Sequence, residues 1–331
     1  MNIAINGFGR IGRNFLRAAL EKNLSVVAIN DLTDPATLAH LFKYDSVHGG
    51  FKGEVSYTDQ NLVIDGRSIR IFALKAPQDL PWKSLNIDLV LESTGKFTSR
   101  TGAELHLQAG AKQVIISAPS ADKDIPMVVL GVNDQQVDLK APIISNASCT
   151  TNNVAPMMKV LDNTWGILEG YITTIHSMTG DQSLHDAPHK DLRRARAASA
   201  SIIPTTTGAA KAITHIFPHL DGKLGGAGIR VPVLNGSLTD LTCILKTKPT
   251  VEEINLAFEK AAKGEMNAIL EYTEDPIVSA DILHNSHSCI FDSKLTSIVG
   301  DMVKVVGWYD NEAGYSARLV DLVLKINENH G

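Results

Sequence analysis

Asn2-Ile3-Ala4-Ile5-Asn6-Gly7-Phe8-Gly9-Arg10-Ile11-Gly12 opens the chain. Asn2 to Asn6 reads as a short buried strand, and Ile11, Phe15, Ala19 and Leu20 fall on one face of the helix that follows. A Gly-x-Gly-x-x-Gly run says little alone; between a strand and a helix it marks a dinucleotide site. Gly7, Gly9 and Gly12 let the backbone approach a pyrophosphate, which the helix N-terminus then holds. The next strand, Val26 to Asn30, ends at Asp31, 19 residues after Gly12, where an acidic side chain accepts from ribose hydroxyls. A carboxylate there repels a 2′-phosphate, so NAD is expected in preference to NADP. Asp34-Pro35 is a helix start, with the N-cap followed by Pro at the first helical position.

Further alternation follows: a strand from Ile87 to Ser93, a helix near Ala103 to Ala109, and a strand from Gln113 to Ser117. This cadence predicts an α/β, doubly wound parallel sheet of Rossmann type. Gly95 and Ser117 lie at strand C-terminal ends, where such sheets bind ligands. The polar, alternating segment from Gly50 to Leu74 reads as a hairpin insertion.

The second half changes period. Tyr171 to His176, Ile229 to Leu234, Leu238 to Lys246, Ser288 to Asp292 and Val303 to Tyr309 alternate in twos, with few helices between them. An α+β domain with a mainly antiparallel sheet is expected. The closing amphipathic helix, Tyr315 to Ile326, is expected to return to the first domain. The boundaries then become 1–147 with 312–331 for the dinucleotide domain and 148–311 for the catalytic domain.

The run Ser145-Asn146-Ala147-Ser148-Cys149-Thr150-Thr151-Asn152 joins the two halves. Ala141 to Ile144 ends a strand; Val154, Met157, Met158 and Leu161 form a helix face after it. Ser148 is a good N-cap, which puts Cys149 in the first helical turn, where free N–H groups and the helix dipole favour a thiolate. Pro156 is expected to kink this helix without ending it. His176 closes a β-branched run and is a candidate base for a Cys–His pair. Thr207 and Gly208, at a helix start, suit either an anion site or plain N-capping. Arg230 is an isolated charge in an apolar strand.

Bulk properties narrow the function. The sequence has 331 residues with 31 basic and 36 acidic side chains, net −5, which argues against nucleic acid or an anionic membrane as partner. No apolar run approaches the ~18 residues that cross a bilayer. No signal-peptide pattern opens the chain, and three widely spaced cysteines read as reduced thiols of a cytoplasmic protein. Two His pairs, His185/His189 and His215/His219, lack the partners of a known zinc pattern, and no metal is expected.

Together these residues resemble one family across essentially the whole chain: phosphorylating glyceraldehyde-3-phosphate dehydrogenase. The resemblance is carried by Asn6 to Arg13, the octet around Cys149, Thr174-Ile175-His176-Ser177, Lys190 to Ala197, Pro204 to Lys211, and Trp308-Tyr309-Asp310-Asn311-Glu312. It implies NAD-dependent oxidation of glyceraldehyde 3-phosphate, with inorganic phosphate as second substrate and 1,3-bisphosphoglycerate as product. Cys149 would be the nucleophile and His176 the base. On the cofactor side the resemblance implies Arg10, Ile11, Asp31, Lys75, Ser117 and Asn311. It implies Thr179, Asp181 and Arg230 for the substrate phosphate, and Ser148, Thr150, Thr207 and Gly208 for the attacking phosphate. Arg193 or Arg194 assists, and the pattern does not choose between them. The family implies a homotetramer, with the segment from Gly180 to Ile203 contacting a neighbouring cofactor site. Erythrose-4-phosphate dehydrogenase shares the Cys149 octet, but the intact Pro204 to Lys211 segment favours phosphorolysis and hence the glyceraldehyde enzyme. A non-enzymatic binding or redox-sensing protein on the same fold is opposed by the joint presence of Cys149, His176, Asp31, Arg230 and Asn311.

Three positions depart from the family pattern. Ala313 stands where Trp is common, and Ala187-Pro188 replaces a Leu-Pro typical of NAD-specific members, which relaxes discrimination against NADP. Asn153 stands where many members carry a second Cys. Peroxide treatment is therefore expected to leave Cys149 as a sulfenic acid or a mixed disulfide. Mass spectrometry showing an intramolecular disulfide at Cys149 would overturn this.

Overall fold

A computed structural model of the chain describes residues 1–120 and 122–328. They form two compact units: residues 1–128, 134–147 and the chain from Ser316 onward, and residues 129–133 with 148–315.

The first unit alternates strands and helices: β1 (Asn2–Asn6), α1 (Arg10–Glu21), β2 (Ser25–Asn30), α2 (Pro35–Lys43), β3 (Val55–Thr58), β4 (Asn61–Ile64), β5 (Arg67–Phe72), β6 (Leu89–Glu92), α3 (Arg100–Gln108), β7 (Gln113–Ile116) and β8 (Ile143–Ser145). Among the described residues these strands make an eight-stranded sheet in the order β3-β4-β5-β2-β1-β6-β7-β8, parallel from β5 to β8. The order reverses between β1 and β6, the switch point at which such sheets open a ligand crevice. One sheet flank packs on Trp82, fully buried among Ala28, Val90, Val114, Ile116 and Ile143. Asp34 caps α2, its side chain accepting from Thr37 N at 2.9 Å.

The segment from Gly50 to Leu74 is more than a hairpin. It forms three strands, and the third, β5, keeps its antiparallel pairing with β4 while running parallel beside β2 on its other edge. The alternation shows the strands, but not that Ile69 and Ile71 bury against the domain core and so recruit β5 into the main sheet.

The second unit begins at α4 (Cys149–Trp165), followed by β9 (Ile167–Ser177), β10 (Ile203–Thr205), α5 (Ala209–Ile216), β11 (Leu224–Val231), β12 (Ser237–Leu245), α6 (Val251–Lys263), β13 (Leu270–Thr273), β14 (Cys289–Asp292), β15 (Ser297–Val299) and β16 (Met302–Tyr309). Its sheet runs β10-β11-β9-β12-β16-β14-β13, with β15 on β16; the pairs are antiparallel except β9 with β11 and β13 with β14. Strand β11 starts at Leu224, five residues before the expected Ile229, because Gly225 and Gly226 hide it from any β-propensity. It stops before Pro232, which has no N–H to pair. A capping box fixes α6: Thr250 Oγ1 accepts from Glu253 N and Glu253 Oε2 from Thr250 N, at 3.2 and 2.7 Å.

Helix α4 runs unbroken through Pro156. Ahead of it, Ala147 holds φ at +55°, a left-handed conformation that is costly for a residue with a Cβ and turns the chain sharply into the Ser148 cap. Helix α7 (Ala313–Glu328) closes the chain; its residues from Ser316 belong to the first unit, where Lys325 pairs with Asp134.

The turn between β1 and α1 admits no side chain at Gly12, where a Cβ would lie 2.2 Å from the Gly7 carbonyl oxygen. Gly12→Ala is expected to destabilise the protein by about 2 kcal/mol, the usual cost of overpacking. Urea unfolding measures this; an unchanged midpoint would contradict the packing.

Candidate active site

The second unit brings a cysteine and a histidine together. Cys149 is the first residue of α4, and the Ser148 hydroxyl accepts from Thr151 N at 3.0 Å, capping the helix. His176 lies near the end of β9, with Nε2 3.4 Å from Cys149 Sγ. Its other nitrogen, Nδ1, lies 2.7 Å from the Ser177 carbonyl oxygen and 2.8 Å from Arg230 Nη1. A carbonyl only accepts, so the short contact assigns the proton to Nδ1. Arg230 Nη1 instead donates to the Ser177 carbonyl (2.9 Å) and to Thr179 Oγ1 (3.1 Å). The lone pair of Nε2 is thereby left facing the thiol, the arrangement a general base needs.

Sheet register delivers Arg230. In the parallel pair of β9 and β11, Arg230 lies opposite His176, so the guanidinium arrives beside the imidazole from the neighbouring strand. Under both, Tyr309 is buried, with its hydroxyl 2.9 Å from Thr150 Oγ1 and 3.0 Å from Thr174 Oγ1 and its ring edge-on to His176. The sequence placed Tyr309 at a strand end within a motif but gave it no role.

Burial works against the thiolate that the helix position favours. Cys149 keeps some solvent contact, but the protein around its sulfur disfavours charge; burial pushes the thiol up, opposed chiefly by Arg230 and by hydrogen bonds from Thr150. Burial, reinforced by the Arg230 charge, pushes His176 down to about 4. Burial thus opposes charge on either partner, against the field that helix position and Arg230 provide for the sulfur. Cys243 has no opposing cation, and burial alone pushes it up to about 12.

A polar cluster adjoins the pair. Thr179 Oγ1 and Arg194 both donate to Asp181, and Arg230 reaches the same Thr179. Arg194 thus joins Thr179, Asp181 and Arg230, whereas Arg193 is exposed and its backbone N–H is held by Asp191. Gly208 is the N-cap of α5 and makes no side-chain bond; Thr207 Oγ1 accepts from Ala209 N at 3.2 Å, which leaves other first-turn N–H groups free of side-chain caps. The Thr150 hydroxyl turns inward to Tyr309. Asn153 is buried, its amide donating to the Ser288 and Trp308 carbonyls. Asn311 accepts at Oδ1 from Ser177 and Ser237 hydroxyls (both 2.8 Å) and from Gly236 N (3.2 Å). Three donors at one oxygen fix which way its amide faces.

The first unit holds a cavity of about 480 Å³ at the switch point, with Gly7, Gly9, Asp31 and Lys75 in its wall. Asp31 accepts from Phe8 N (2.8 Å) and Thr33 N (3.0 Å), which fixes its carboxylate against the glycine turn. Helix α1 starts at Gly9 without a side-chain cap and without an acidic residue in its first turn, so its N–H groups are available to an anion. Arg10 is the first helical residue and pairs with Asp45 at 2.5 Å; Ile11 follows it. These features fit a dinucleotide. Ser117 follows β7 and bonds through its N–H to the Glu92 carbonyl, outside this cavity. Asn6, Asn30, Ser93 and Thr94 also line the wall, and in the sequence only their position at strand C-terminal ends signals this. Among the described residues no group of three or more His, Cys, Asp or Glu side chains is placed to hold a metal ion, and no helix is long and apolar enough to cross a membrane.

Residues 1–100 match the family described as glyceraldehyde 3-phosphate dehydrogenase, NAD binding domain, and residues 148–311 match its C-terminal domain. The chain is 55% identical over 328 residues to glyceraldehyde-3-phosphate dehydrogenase 2 of Streptomyces avermitilis, covering 98% of each. It is 54% identical over 337 residues to the glyceraldehyde-3-phosphate dehydrogenase of Mycobacterium tuberculosis, with 99% of each covered, and 54% identical over 329 residues to that of Geobacillus stearothermophilus, with 98% of each covered.

His176 should remain neutral from pH 6.5 down to about 4, while an unfolded histidine takes up a proton near 6.5. Its contribution to stability is then complete above pH 6.5 and lost as pH falls toward 4. Histidine NMR titration measures this directly. Arg230→Gln, which removes the neighbouring charge, should move the midpoint upward; a His176 midpoint at or above 6.5 in the unmodified protein would refute the assignment.

Proposed function

The chain belongs to the glyceraldehyde-3-phosphate dehydrogenase family, and on that premise we propose how its own residues carry the reaction. It oxidises glyceraldehyde 3-phosphate with NAD and transfers the acyl group to inorganic phosphate, giving 1,3-bisphosphoglycerate, a step of glycolysis. The observation that carries the mechanism is the 3.4 Å contact between Cys149 Sγ and a His176 Nε2 whose other nitrogen is committed to the Ser177 carbonyl.

The thiol proton passes to Nε2 as Sγ adds to the aldehyde carbon. The alkoxide takes the proton to give a thiohemiacetal. His176 then removes the hydroxyl proton as hydride leaves carbon, and a thioester remains on Cys149. NAD, when bound, accepts that hydride. Phosphate adds to the thioester carbonyl, and collapse of the tetrahedral oxyanion expels the Cys149 sulfur, which recovers its proton from His176. The Cys149 N–H at the head of α4 and the His176 imidazole stabilise the oxyanion.

Arg230, Thr179, Asp181 and Arg194 form the substrate-phosphate site, with Arg194 rather than Arg193 supported by its contact with Asp181. Ser148, Thr150, Thr207 and Gly208 form the site for attacking phosphate. For Thr150 this role falls to the backbone, since its hydroxyl is bonded to Tyr309. Gly7, Gly9, Gly12, Arg10, Ile11, Asp31, Lys75 and Ser117 hold NAD, and Asn311, with its Oδ1 occupied, offers its amide N–H groups to the nicotinamide carboxamide. A homotetramer is supported by the apolar side chains that the segment from 180 to 203 exposes, Leu184, Leu192 and Ile202. Three free cysteines support a reducing, cytoplasmic location.

Cys149→Ser should lower aldehyde-dependent NADH formation by roughly 10⁴-fold or more while leaving NAD affinity within about twofold. The intact enzyme should require phosphate for turnover and prefer glyceraldehyde 3-phosphate to erythrose 4-phosphate. Steady-state kinetics decides; phosphate-independent rates or a preference for the four-carbon sugar would reject the assignment.

A further inference from the structure

Beneath the dinucleotide cavity lies a carboxylate that no step of the reaction uses. Glu92, the last residue of β6, is 1% exposed. Its oxygens take four donors. Oε2 accepts from Asn6 Nδ2 at 2.5 Å and from His106 Nε2 at 3.1 Å, and Oε1 accepts from Thr94 N at 2.8 Å and from the Thr94 hydroxyl. The proton positions follow from the outer ends of this network. Trp82 Nε1 can only donate and lies 3.1 Å from His106 Nδ1, so that nitrogen accepts and the His106 proton sits on Nε2, toward Glu92. Thr94 Oγ1 accepts from Lys96 N at 3.1 Å, which frees its own proton for Glu92.

The donors of Asn6 and Thr94 lead to the walls of the cavity. Asn6 ends β1, and its Oδ1 accepts from Asn30 Nδ2 at 2.7 Å. Asn30, at the end of β2, holds the backbone of Leu74, accepting from Leu74 N and donating to its carbonyl, both at 2.9 Å, directly before Lys75. The Ser93 hydroxyl reaches the carbonyls of Asn6 and Gly7 at 3.1 and 2.7 Å. Gly7 rests on the same segment: a Cβ there would lie 2.7 Å from Thr94 N. One carboxylate therefore fixes the ends of three strands, the glycine turn and the Lys75 segment relative to one another, and His106 anchors the set to α3 and the Trp82 core.

We propose that Glu92 is the positioning residue of the dinucleotide pocket, setting NAD affinity through Asn6 and Thr94 without taking part in the chemistry at Cys149. The inference rests on the reading of this cavity as the NAD site. Walls held in place before the ligand arrives spare it the cost of ordering them, so loss of the anchor weakens binding and leaves turnover of the saturated enzyme intact.

Glu92→Gln tests it on the full chain. The amide has one acceptor oxygen, so whichever way it turns, its NH2 faces two of the four donors. The NAD Kd, by calorimetry, and the NAD KM should rise by about tenfold, the scale of losing a hydrogen bond to a charged group. At saturating NAD, kcat and the aldehyde KM should stay within about twofold. An NAD Kd within twofold of the unmodified enzyme, or a kcat that falls in step with affinity, overturns the proposal. Should Glu92→Gln fail to fold, Thr94→Val, which lacks the hydroxyl link, should weaken NAD while Thr94→Ser restores it; equal affinities in that pair also overturn the proposal. If the unmodified protein bound no NAD, the cofactor reading itself would fail, a result distinct from either.

Discussion

The proposed mechanism depends on one lone pair, that of His176 Nε2, remaining available 3.4 Å from the Cys149 sulfur. A buried imidazole offers that lone pair only if its proton is held elsewhere. The Ser177 carbonyl holds it at Nδ1, and the carbonyl is itself fixed by Arg230. Strand pairing then carries the arrangement outward: β9 supplies the histidine and the carbonyl, β11 the arginine, and β12 and the turn after β16 the Ser237–Asn311 contacts that brace Ser177. The mixed sheet is the device that sets this tautomer.

Arg230 acts on both members of the pair, and with opposite effect on their readiness to charge. It favours a negative sulfur and disfavours a positive imidazole. Burial opposes a charge on either partner, which sets it against the field at the head of the helix. A helix terminus is worth about 1 kcal/mol or less at ordinary sites. Desolvation of a buried ion costs several times that.

In the dinucleotide unit the constraint is steric as well as polar. Gly7 and Gly12 face backbone at distances that exclude a Cβ, and Gly7 holds φ at +95°. The turn they form is held open by Asp31 from one side and by the Glu92 network from below. Both units use one logic: a buried polar group with every partner supplied fixes a side chain that works at the surface of a cavity.

The sequence by itself determined the two-part architecture, because periodicity and glycine placement are local properties. Gly7-Phe8-Gly9 between a strand and a helix, the Ser148 cap before Cys149 and the Thr250 box are legible within a turn or two of chain. Asp31 was legible for the same reason. Tertiary structure alone decided which distant residues meet. Arg230 faces His176 through a parallel pairing whose register no local pattern encodes, and β11 itself starts among glycines that give no strand signal. Arg194 joins Asp181, and Arg193 does not, because loop geometry and not composition aims the guanidinium. Glu92 read as one more residue of an apolar strand until Asn6, Thr94 and His106 were found around it. The protonation state of Cys149 lay wholly outside the sequence's reach, since the helix dipole is a local effect and burial is a property of everything packed around the sulfur.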